Sequence, residues 1–317
     1  MQEEEGRLRK RLTELRRLPT LPGVHLKDEI AKISNRLMEL GRGRQPDKAS
    51  WEKVELARHP KRPYTLDYIE HMFPGFIELK GDRLFADDPA IVGGLAAYQG
   101  RTIMVIGHQK GRDLPSRTYR NFGMPKPEGY RKAQRLMRLA DKFHIPVLTL
   151  VDTPGAFPGV AAEERGQGSA IATSLMCMAK LQVPTVAVII GEGGSGGALA
   201  LALADRVMML ENSIYSVITP EACAAILWRD SSEAQQAATS LKLTSADLEE
   251  LEVVDEVLPE PRGGAHKDYA GAARILKEAL EDSLRELETV SPLQRKKERF
   301  EKYRRMGVWR EEGLTLF

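Results

Sequence analysis

A glycine-rich segment is the part of the sequence best suited to chemistry. Residues 191–197 read GEGGSGG and lie between an apolar run at 183–190 and the run ALALALA at 198–204. The segment fits the G-x-G-x-x-G pattern of dinucleotide-binding folds and the G-x-S-x-G nucleophile elbow of serine hydrolases. It also fits a helix N-terminus whose free N–H groups bind an oxyanion. Each motif predicts a different chemistry, so we compare the three by the residues that flank the segment.

The dinucleotide motif has the expected order of strand, glycines, helix, strand and acid. Glu211 follows Gly191 at about the 20-residue spacing of that fingerprint. The helical stretch, however, ends by Asp205 and is only about two turns long. A crossover helix between parallel strands is usually longer, which disfavours this interpretation.

The elbow motif requires an exposed serine, followed along the chain by an acid and a histidine. Ser195, Asp255 and His266 occur in that order, so a hydrolase stays open as an alternative. His266 lies in the polar stretch GGAHKDY, where a solvated histidine is the ordinary explanation. The elbow also does not need glycines at all four positions that flank Ser195.

The oxyanion motif accounts for every residue of the segment. Glycines let the backbone approach a ligand closely, and the first N–H groups of a helix have no partner within it. The helix dipole favours negative charge there, and the apolar run that follows allows burial in a low-dielectric site. Ser195 is then a spacer or a polar contact. The alternative is that the glycines only permit close packing.

A second loop of the same kind lies upstream. Residues 152–159 read DTPGAFPG and follow the apolar strand predicted at 146–152. The D-x-x-G pattern occurs in GTPases, but the chain has no G-x-x-x-x-G-K-[ST] phosphate loop, so we exclude GTP binding. Two successive units of strand, glycine loop and helix resemble turns of the ββα superhelix of crotonase-like folds.

The elements around both loops predict an α/β fold. Strands are predicted within 90–111, with a turn at Gln99-Gly100, and at 146–152, 183–190, 206–210 and 214–218. Helices are predicted at 128–143, 161–181, about 197–204 and from Pro220, and further helical stretches at 231–252 and 268–306. Unbroken apolar strands that alternate with helices indicate a sheet covered on both faces. We expect an N-terminal helical segment at 1–50, with helices at 2–18 and 26–40, and one domain at 51–317.

Composition excludes several classes of function. The 317 residues carry a net charge of +2, which gives no reason to expect nucleic acid or an anionic membrane as the ligand. Cys177 and Cys223 are the two cysteines, too few for a usual zinc site, and we expect no metal and buried free thiols. The N-terminus has no apolar signal region, and no apolar run reaches membrane-spanning length. We expect a soluble, cytoplasmic protein.

Specific motifs identify a family. The sequence resembles the alpha subunits of the bacterial acetyl-CoA carboxylase carboxyltransferase. The matching stretches follow one another in unbroken order from residue 56 to residue 266: LARHPKRPYTLDYIEHMF, GDR, IVGG, GHQKGR, NFGMPKPEGYRKA, DTPGAFPGVAAEERGQ, GEGGSGGALAL, YSVITPEACAAILW and PEPRGGAH.

The resemblance implies a crotonase-like fold and carboxyl transfer from carboxybiotin to acetyl-CoA, which gives malonyl-CoA, in the committed step of fatty acid synthesis. It implies a beta-subunit partner in an α2β2 assembly, biotin on a biotin carboxyl carrier protein, and ATP use only by a separate biotin carboxylase component. The catalytic groups would be the backbone N–H groups of Gly196 and Gly197, which form the biotin-side oxyanion hole. The residues beside biotin would be Gly193, Gly194, Ser195, Gly155 and Ala156.

Two other functions stay open from the sequence. One is a stand-alone crotonase-like acyl-CoA hydrolase or decarboxylase, which would be active without a partner. The other is a non-catalytic scaffold that only completes a partner's site, for which Gly196 and Gly197 would be replaceable without loss.

Overall fold

A computed structural model of the chain describes residues 48–307, together with Arg11, Lys32 and Ile33. Among these residues, 50–219 and 242–307 belong to one compact unit, and Pro220–Leu241 with the described residues up to Ala49 belong to a second. The helices predicted at 2–18 and 26–40 lie almost wholly outside the described residues. The domain boundary predicted near residue 50 stays a prediction.

One mixed sheet organises the larger unit. Its strands among the described residues are β1 (Ile77–Glu78), β2 (Ile91–Tyr98), β3 (Arg101–His108), β4 (Val147–Thr153), β5 (Thr185–Gly194), β6 (Arg206–Leu210), β7 (Ile214–Ser216) and β8 (Glu256–Leu258). The spatial order is β1-β2-β3-β4-β5-β6-β8, and β7 pairs with the end of β5. Strands β1 to β3 pair antiparallel, whereas β3, β4, β5, β6 and β8 run parallel.

This unit also contains helices. They are α1 (Lys48–Ala57), α2 (Thr65–Met72), α3 (Leu114–Tyr119), α4 (Pro127–Lys142), α5 (Val160–Glu164), α6 (Gln167–Lys180), α7 (Ser195–Ala202), α10 (Ser245–Glu250), α11 (Tyr269–Thr289) and α12 (Pro292–Arg305). The second unit holds α8 (Pro220–Trp228) and α9 (Ala234–Leu241). None of the helices that the structure describes combines the length and apolarity that a bilayer crossing requires.

The predicted hairpin forms between β2 and β3. Gln99 and Gly100 have φ of +47° and +77°, and Tyr98 pairs with Arg101 across the turn. Positive φ at both central residues is the requirement of a type I′ turn, whose twist matches that of the flanking strands. The predicted turn at Gln99-Gly100 is confirmed.

The sheet buries apolar side chains on both faces. One core joins alternate strand residues to α4, α6 and α7, and the other joins the intervening strand residues to α2 and α11. The predicted apolar face of α4 is fully buried; its members are Ala133, Leu136, Met137 and Ala140. Both faces of the parallel strands are therefore covered, as their unbroken apolar sequences predict.

Three predicted helical stretches are interrupted. The stretch 231–252 divides at residues 242–244, between α9 and α10. Residues 161–181 form α5 and α6 rather than one helix, because Gly166 between them has φ of +80°, a left-handed conformation that ends an α-helix. The stretch 268–306 divides at Ser291, whose hydroxyl caps α12, with Pro292 at the first helical position.

A buried ion pair connects the segment between α1 and α2 to the sheet. Arg62 is 0% exposed, and its guanidinium contacts Glu260, 1% exposed, at 2.5 Å. The same guanidinium donates to the carbonyl oxygen of Ile190 at 2.7 Å and to the Ser213 hydroxyl at 3.0 Å. Burial would raise the pKa of Glu260, but Arg62 and further hydrogen bonds outweigh it and hold the pKa below its usual value. The pair is therefore ionised at neutral pH.

Replacing Arg62 with methionine will lower the free energy of unfolding by about 3–5 kcal/mol, because Glu260 is left as a buried, uncompensated charge. Urea unfolding followed by circular dichroism measures the difference. Arg285→Met is the matched control, since Arg285 pairs with Asp282 on the exposed surface of α11. The control substitution should lower the free energy of unfolding by less than about 1 kcal/mol. Equal effects of both substitutions would contradict the role given to the buried pair.

Candidate functional site

The two glycine loops meet at one edge of the sheet. Strands β4 and β5 are parallel neighbours, and their last pairing joins Thr153 to Gly193. The loop after β4 begins at Pro154, and α7 begins directly after β5. Carboxyl ends of adjacent parallel strands lie side by side, and this is where α/β proteins place their ligands.

The loops touch through backbone, which explains several of the glycines. A Cβ on Gly197 would lie 2.6 Å from the carbonyl carbon of Gly155 and 2.7 Å from the nitrogen of Ala156. A Cβ on Gly194 would lie 2.2 Å from the Pro154 carbonyl oxygen. Real side chains do not approach backbone atoms this closely, so glycine is required at both positions. The structure thus brings the two predicted sets of site residues together.

Gly193 and Gly196 differ in their surroundings. Gly193 belongs to β5 and is buried; a Cβ there would lie 2.8 Å from the Tyr215 ring. Gly196 is half-buried, and a Cβ there would meet nothing nearer than Ile171 at 3.5 Å. Gly193 therefore serves the packing of β7 on β5, whereas a side chain at Gly196 would make only ordinary contact with Ile171.

The start of α7 supplies the hydrogen-bond donors. The helix runs from Ser195 to Ala202, close to the predicted 197–204, so the N–H groups of Ser195, Gly196 and Gly197 have no carbonyl partner within it. In the facing loop, the Gly155 N–H donates to the Thr153 hydroxyl and the Phe157 N–H donates to the Pro125 carbonyl oxygen. Two amides of the facing loop are thereby used internally, and those of α7 are the donors best placed for a ligand.

Ser195 has the backbone of a nucleophile elbow but not the partners. It is exposed and has φ of +53°, a strained conformation for a residue with a side chain. Asp255 instead accepts the Val207 N–H at 2.6 Å and pairs with Lys302, before the amino end of β8. Ser195 follows the carboxyl end of β5, a ten-residue strand. About 30 Å of strand therefore separates the two ends of the sheet.

His266 completes no triad either. Its ring stacks on that of His59, with centroids 4.0 Å apart, and its Nδ1 has no hydrogen-bond partner among the described residues. The hydrolase interpretation needs a histidine held between Ser195 and Asp255, and the structure does not assemble one. The dinucleotide interpretation also fails on geometry, since α7 has only eight residues.

A buried charge cluster lies beneath both loops. The Lys110 ammonium contacts Asp152 Oδ1 at 2.6 Å and Glu192 Oε2 at 3.7 Å. Asp152 Oδ1 also accepts the backbone N–H of Glu192 at 2.9 Å, and Arg58 donates to Glu192 Oε1 at 2.9 Å. Sequence reasoning considered Asp152 only as the acid of a D-x-x-G pattern and missed the cluster. Its members come from β4, β5, the segment after β3 and the turn after α1, so no local spacing could have indicated it.

Lys110 is charged and the neighbouring His108 is neutral at neutral pH. Burial would lower the pKa of Lys110, but Asp152 and Glu192 outweigh it and raise the pKa above its usual value. Burial, assisted by Lys110, lowers the pKa of the neighbouring His108 to about 3, so that imidazole is neutral. A cavity of about 340 Å³ opens beside the cluster, lined by Arg58, Tyr64, Lys110, Arg112, Arg117, Pro154 and Glu192, among others.

Metal-binding groups are not gathered in this part of the chain. Within residues 48–307, no group of three or more histidine, cysteine, aspartate or glutamate side chains is arranged to hold a metal ion. Cys177 and Cys223 are free and buried, as predicted from their apolar surroundings.

Comparisons of sequence connect the chain to known proteins. A family model described as "Acetyl co-enzyme A carboxylase carboxyltransferase-like" matches residues 2–307. An acetyl-coenzyme A carboxylase carboxyl transferase subunit alpha from Thermus thermophilus is 56% identical over 304 residues, which cover 96% of each chain. The subunit of the same name from Geobacter metallireducens is 55% identical over 288 residues, which cover 91% of each chain.

Solved structures show a related fold. Transcarboxylase 12S matches with a TM-score of 0.57 at 22% identity, over 75% of this chain and 45% of that one. The MdcD-MdcE hetero-dimer of Pseudomonas malonate decarboxylase matches with a TM-score of 0.58 at 17% identity, over 76% of this chain and 96% of that one. The predicted crotonase-like α/β fold is confirmed.

Proposed function

Because the chain belongs to the family of acetyl-CoA carboxylase carboxyl transferase alpha subunits, we propose that it transfers a carboxyl group from carboxybiotin to acetyl-CoA, giving malonyl-CoA. The observation that carries the proposal is the start of α7, where N–H groups with no carbonyl partner in the helix lie at the half-buried Gly196. This transfer is the committed step of fatty acid synthesis.

The residues present fit a biotin ureido group. When bound, carboxybiotin supplies the carboxyl group, and its loss places negative charge on the ureido oxygen and leaves a ring nitrogen able to accept a proton from the acetyl methyl group. The N–H groups of Gly196 and Gly197 would donate to that oxygen, assisted by the dipole of α7. The absence of a Cβ at Gly196 leaves room for the ring. Gly155 and Ala156 belong to the loop opposite the start of α7, and their backbone packs against Gly197.

This chemistry requires no nucleophile or base from the chain. Ser195 lacks the histidine and acid that would activate it, and its hydroxyl is at most a polar contact to the biotin ring. The backbone donors are already oriented by the helix, so they need no rearrangement when charge develops. The absence of a triad around Ser195 is therefore consistent with carboxyl transfer.

We further propose the partners that the family implies. A beta subunit would bind acetyl-CoA and hold its thioester oxygen, with two copies of each chain in an α2β2 assembly. Biotin would arrive on a biotin carboxyl carrier protein, and ATP would be used only by a separate biotin carboxylase component. The predicted cytoplasmic location stays a prediction.

The proposed function is tested by malonyl-CoA decarboxylation that depends on biocytin, measured as acetyl-CoA formed. We expect activity when the chain is mixed with a matching beta subunit, because each chain would supply one oxyanion site, and no activity from either chain alone. Activity of this chain alone would instead support a stand-alone acyl-CoA decarboxylase.

Gly197→Val should lower the kcat of that assay by about 10²-fold or more, because it displaces both an oxyanion donor and the facing loop. Gly168→Val is the matched control, since a Cβ at Gly168, in α6, meets nothing within 4 Å. The control should keep near wild-type activity, and a melting curve of each assembled complex reports whether it folds. A fully active Gly197→Val variant would remove Gly197 from the site and favour a scaffold role.

Ser195→Ala should keep most of the activity, because the backbone N–H groups remain. The exposed Ser195 at positive φ is the one observation that favours a hydrolase, and an elbow serine would lose nearly all activity on the same change. Steady-state kinetics of Ser195→Ala and His266→Ala distinguish the two functions. Loss of activity by several orders of magnitude in both variants would establish the hydrolase.

A further inference from the structure

The charge cluster around Lys110 connects the carboxyl ends of β4 and β5, the strands that lead into the two glycine loops. Asp152 lies in β4, three residues before Gly155, and Glu192 lies in β5, three residues before Ser195. Both carboxylates face the ammonium of Lys110, which lies just after β3 and is 15% exposed. Lys110 thus contacts both Asp152, which precedes the loop after β4, and Glu192, which precedes the start of α7.

The surroundings offer Asp152 no cation in place of Lys110. Asp152 is 1% exposed, and its second oxygen, Oδ2, has no hydrogen-bond partner among the described residues. Arg58 contacts Glu192 at 2.8 Å, but within the described part of the chain no contact between Arg58 and Asp152 is seen. A Cβ on Gly191 would lie 2.5 Å from Asp152 Oδ1, so the backbone of β5 encloses this carboxylate on one side. Without Lys110, Asp152 would be a buried charge with no cation of its own.

We propose that Lys110 is a positioning residue of the oxyanion site, which holds the Asp152 and Glu192 carboxylates together and, through them, the two loops on either side of Gly197. This inference rests on the proposed function, because it concerns the geometry of the same N–H donors. The interaction is electrostatic as well as mechanical. Arg58 still pairs with Glu192 when Lys110 is removed, but the buried Asp152 carboxylate then has no cation, repels Glu192 and opposes negative charge on a nearby oxyanion.

The other groups that face Lys110 do not titrate near neutral pH. Tyr64 lies against it from the start of α2, and burial raises the pKa of that phenol, so it stays neutral. His108, at the end of β3, is neutral because burial lowers its pKa to about 3. Arg112, beyond β3, stays charged because its hydrogen bond to Asp67 outweighs burial and raises its pKa above the usual value.

The test is Lys110→Met in the assembled enzyme, assayed as biocytin-dependent malonyl-CoA decarboxylation between pH 6 and pH 8.5. We expect kcat at pH 8 to fall by about 10²-fold, the effect of losing an oxyanion donor, while KM for malonyl-CoA changes less than about threefold. The deficit should shrink as the pH falls. Loss of the cation raises the pKa of one carboxylate, and its protonation relieves the repulsion.

Three further variants make the test decisive. Lys132→Met is the matched control, because Lys132 is 1% exposed and contacts Asp87 at 2.6 Å, away from both glycine loops. It should lower stability without a pH-dependent change in kcat. Lys110→Arg keeps the charge and should recover kcat to within about fivefold of wild type. Lys110→Gln, which can still donate to Asp152, replaces the methionine variant if that one does not fold, and should show the same pH trend.

The outcomes separate two kinds of failure. An inactive wild-type mixture would overturn the proposed function itself. A wild-type mixture that is active, with Lys110→Met or Lys110→Gln matching Lys132→Met at every pH, would overturn the role of Lys110 alone. A deficit that is the same at pH 6 and pH 8.5 would also contradict it, because a merely structural loss does not depend on the charge of Asp152 and Glu192.

Discussion

The site depends on one close contact, the packing of the backbone at Gly197 against the peptide between Gly155 and Ala156. A carbon atom added at Gly197 would lie 2.6 Å from that backbone, so the contact exists only because the position has no side chain. It holds the start of α7 against the loop after β4. The free N–H groups of the helix are thereby fixed in direction before any ligand arrives, which is the condition for stabilising charge without rearrangement.

Other parts of the larger unit position the two segments that form this contact. Strands β4 and β5 must be parallel neighbours for their following loops to meet, and two apolar cores hold them there from both faces. The Arg62–Glu260 pair joins the end of β5 to the segment after β8. Lys110 lies nearest to the loops, where Asp152 would otherwise be a buried charge without a cation. Buried charge is costly, and its concentration at this edge supports the role proposed for the site.

Features set by local sequence could be predicted, and those set by distant contacts could not. The turn at Gln99-Gly100 and the buried face of α4 follow from residue type and period alone. The motif at 191–197 indicated free N–H groups at a helix start, and α7 begins there. Prediction missed that β5 continues to Gly194, because that extension depends on pairing with Thr153 and with β7. It also missed the break at Gly166 and the cluster around Lys110, whose members lie far apart in the chain.

The central claim is that backbone N–H groups of this chain hold the ureido oxygen of biotin. A crystal structure of the chain assembled with a matching beta subunit and a bound biotin analogue tests it most directly. The account predicts that oxygen at about 2.7–3.1 Å from the nitrogen atoms of both Gly196 and Gly197. A ureido oxygen bound elsewhere, or held by the Ser195 hydroxyl while both amides point away, would contradict it.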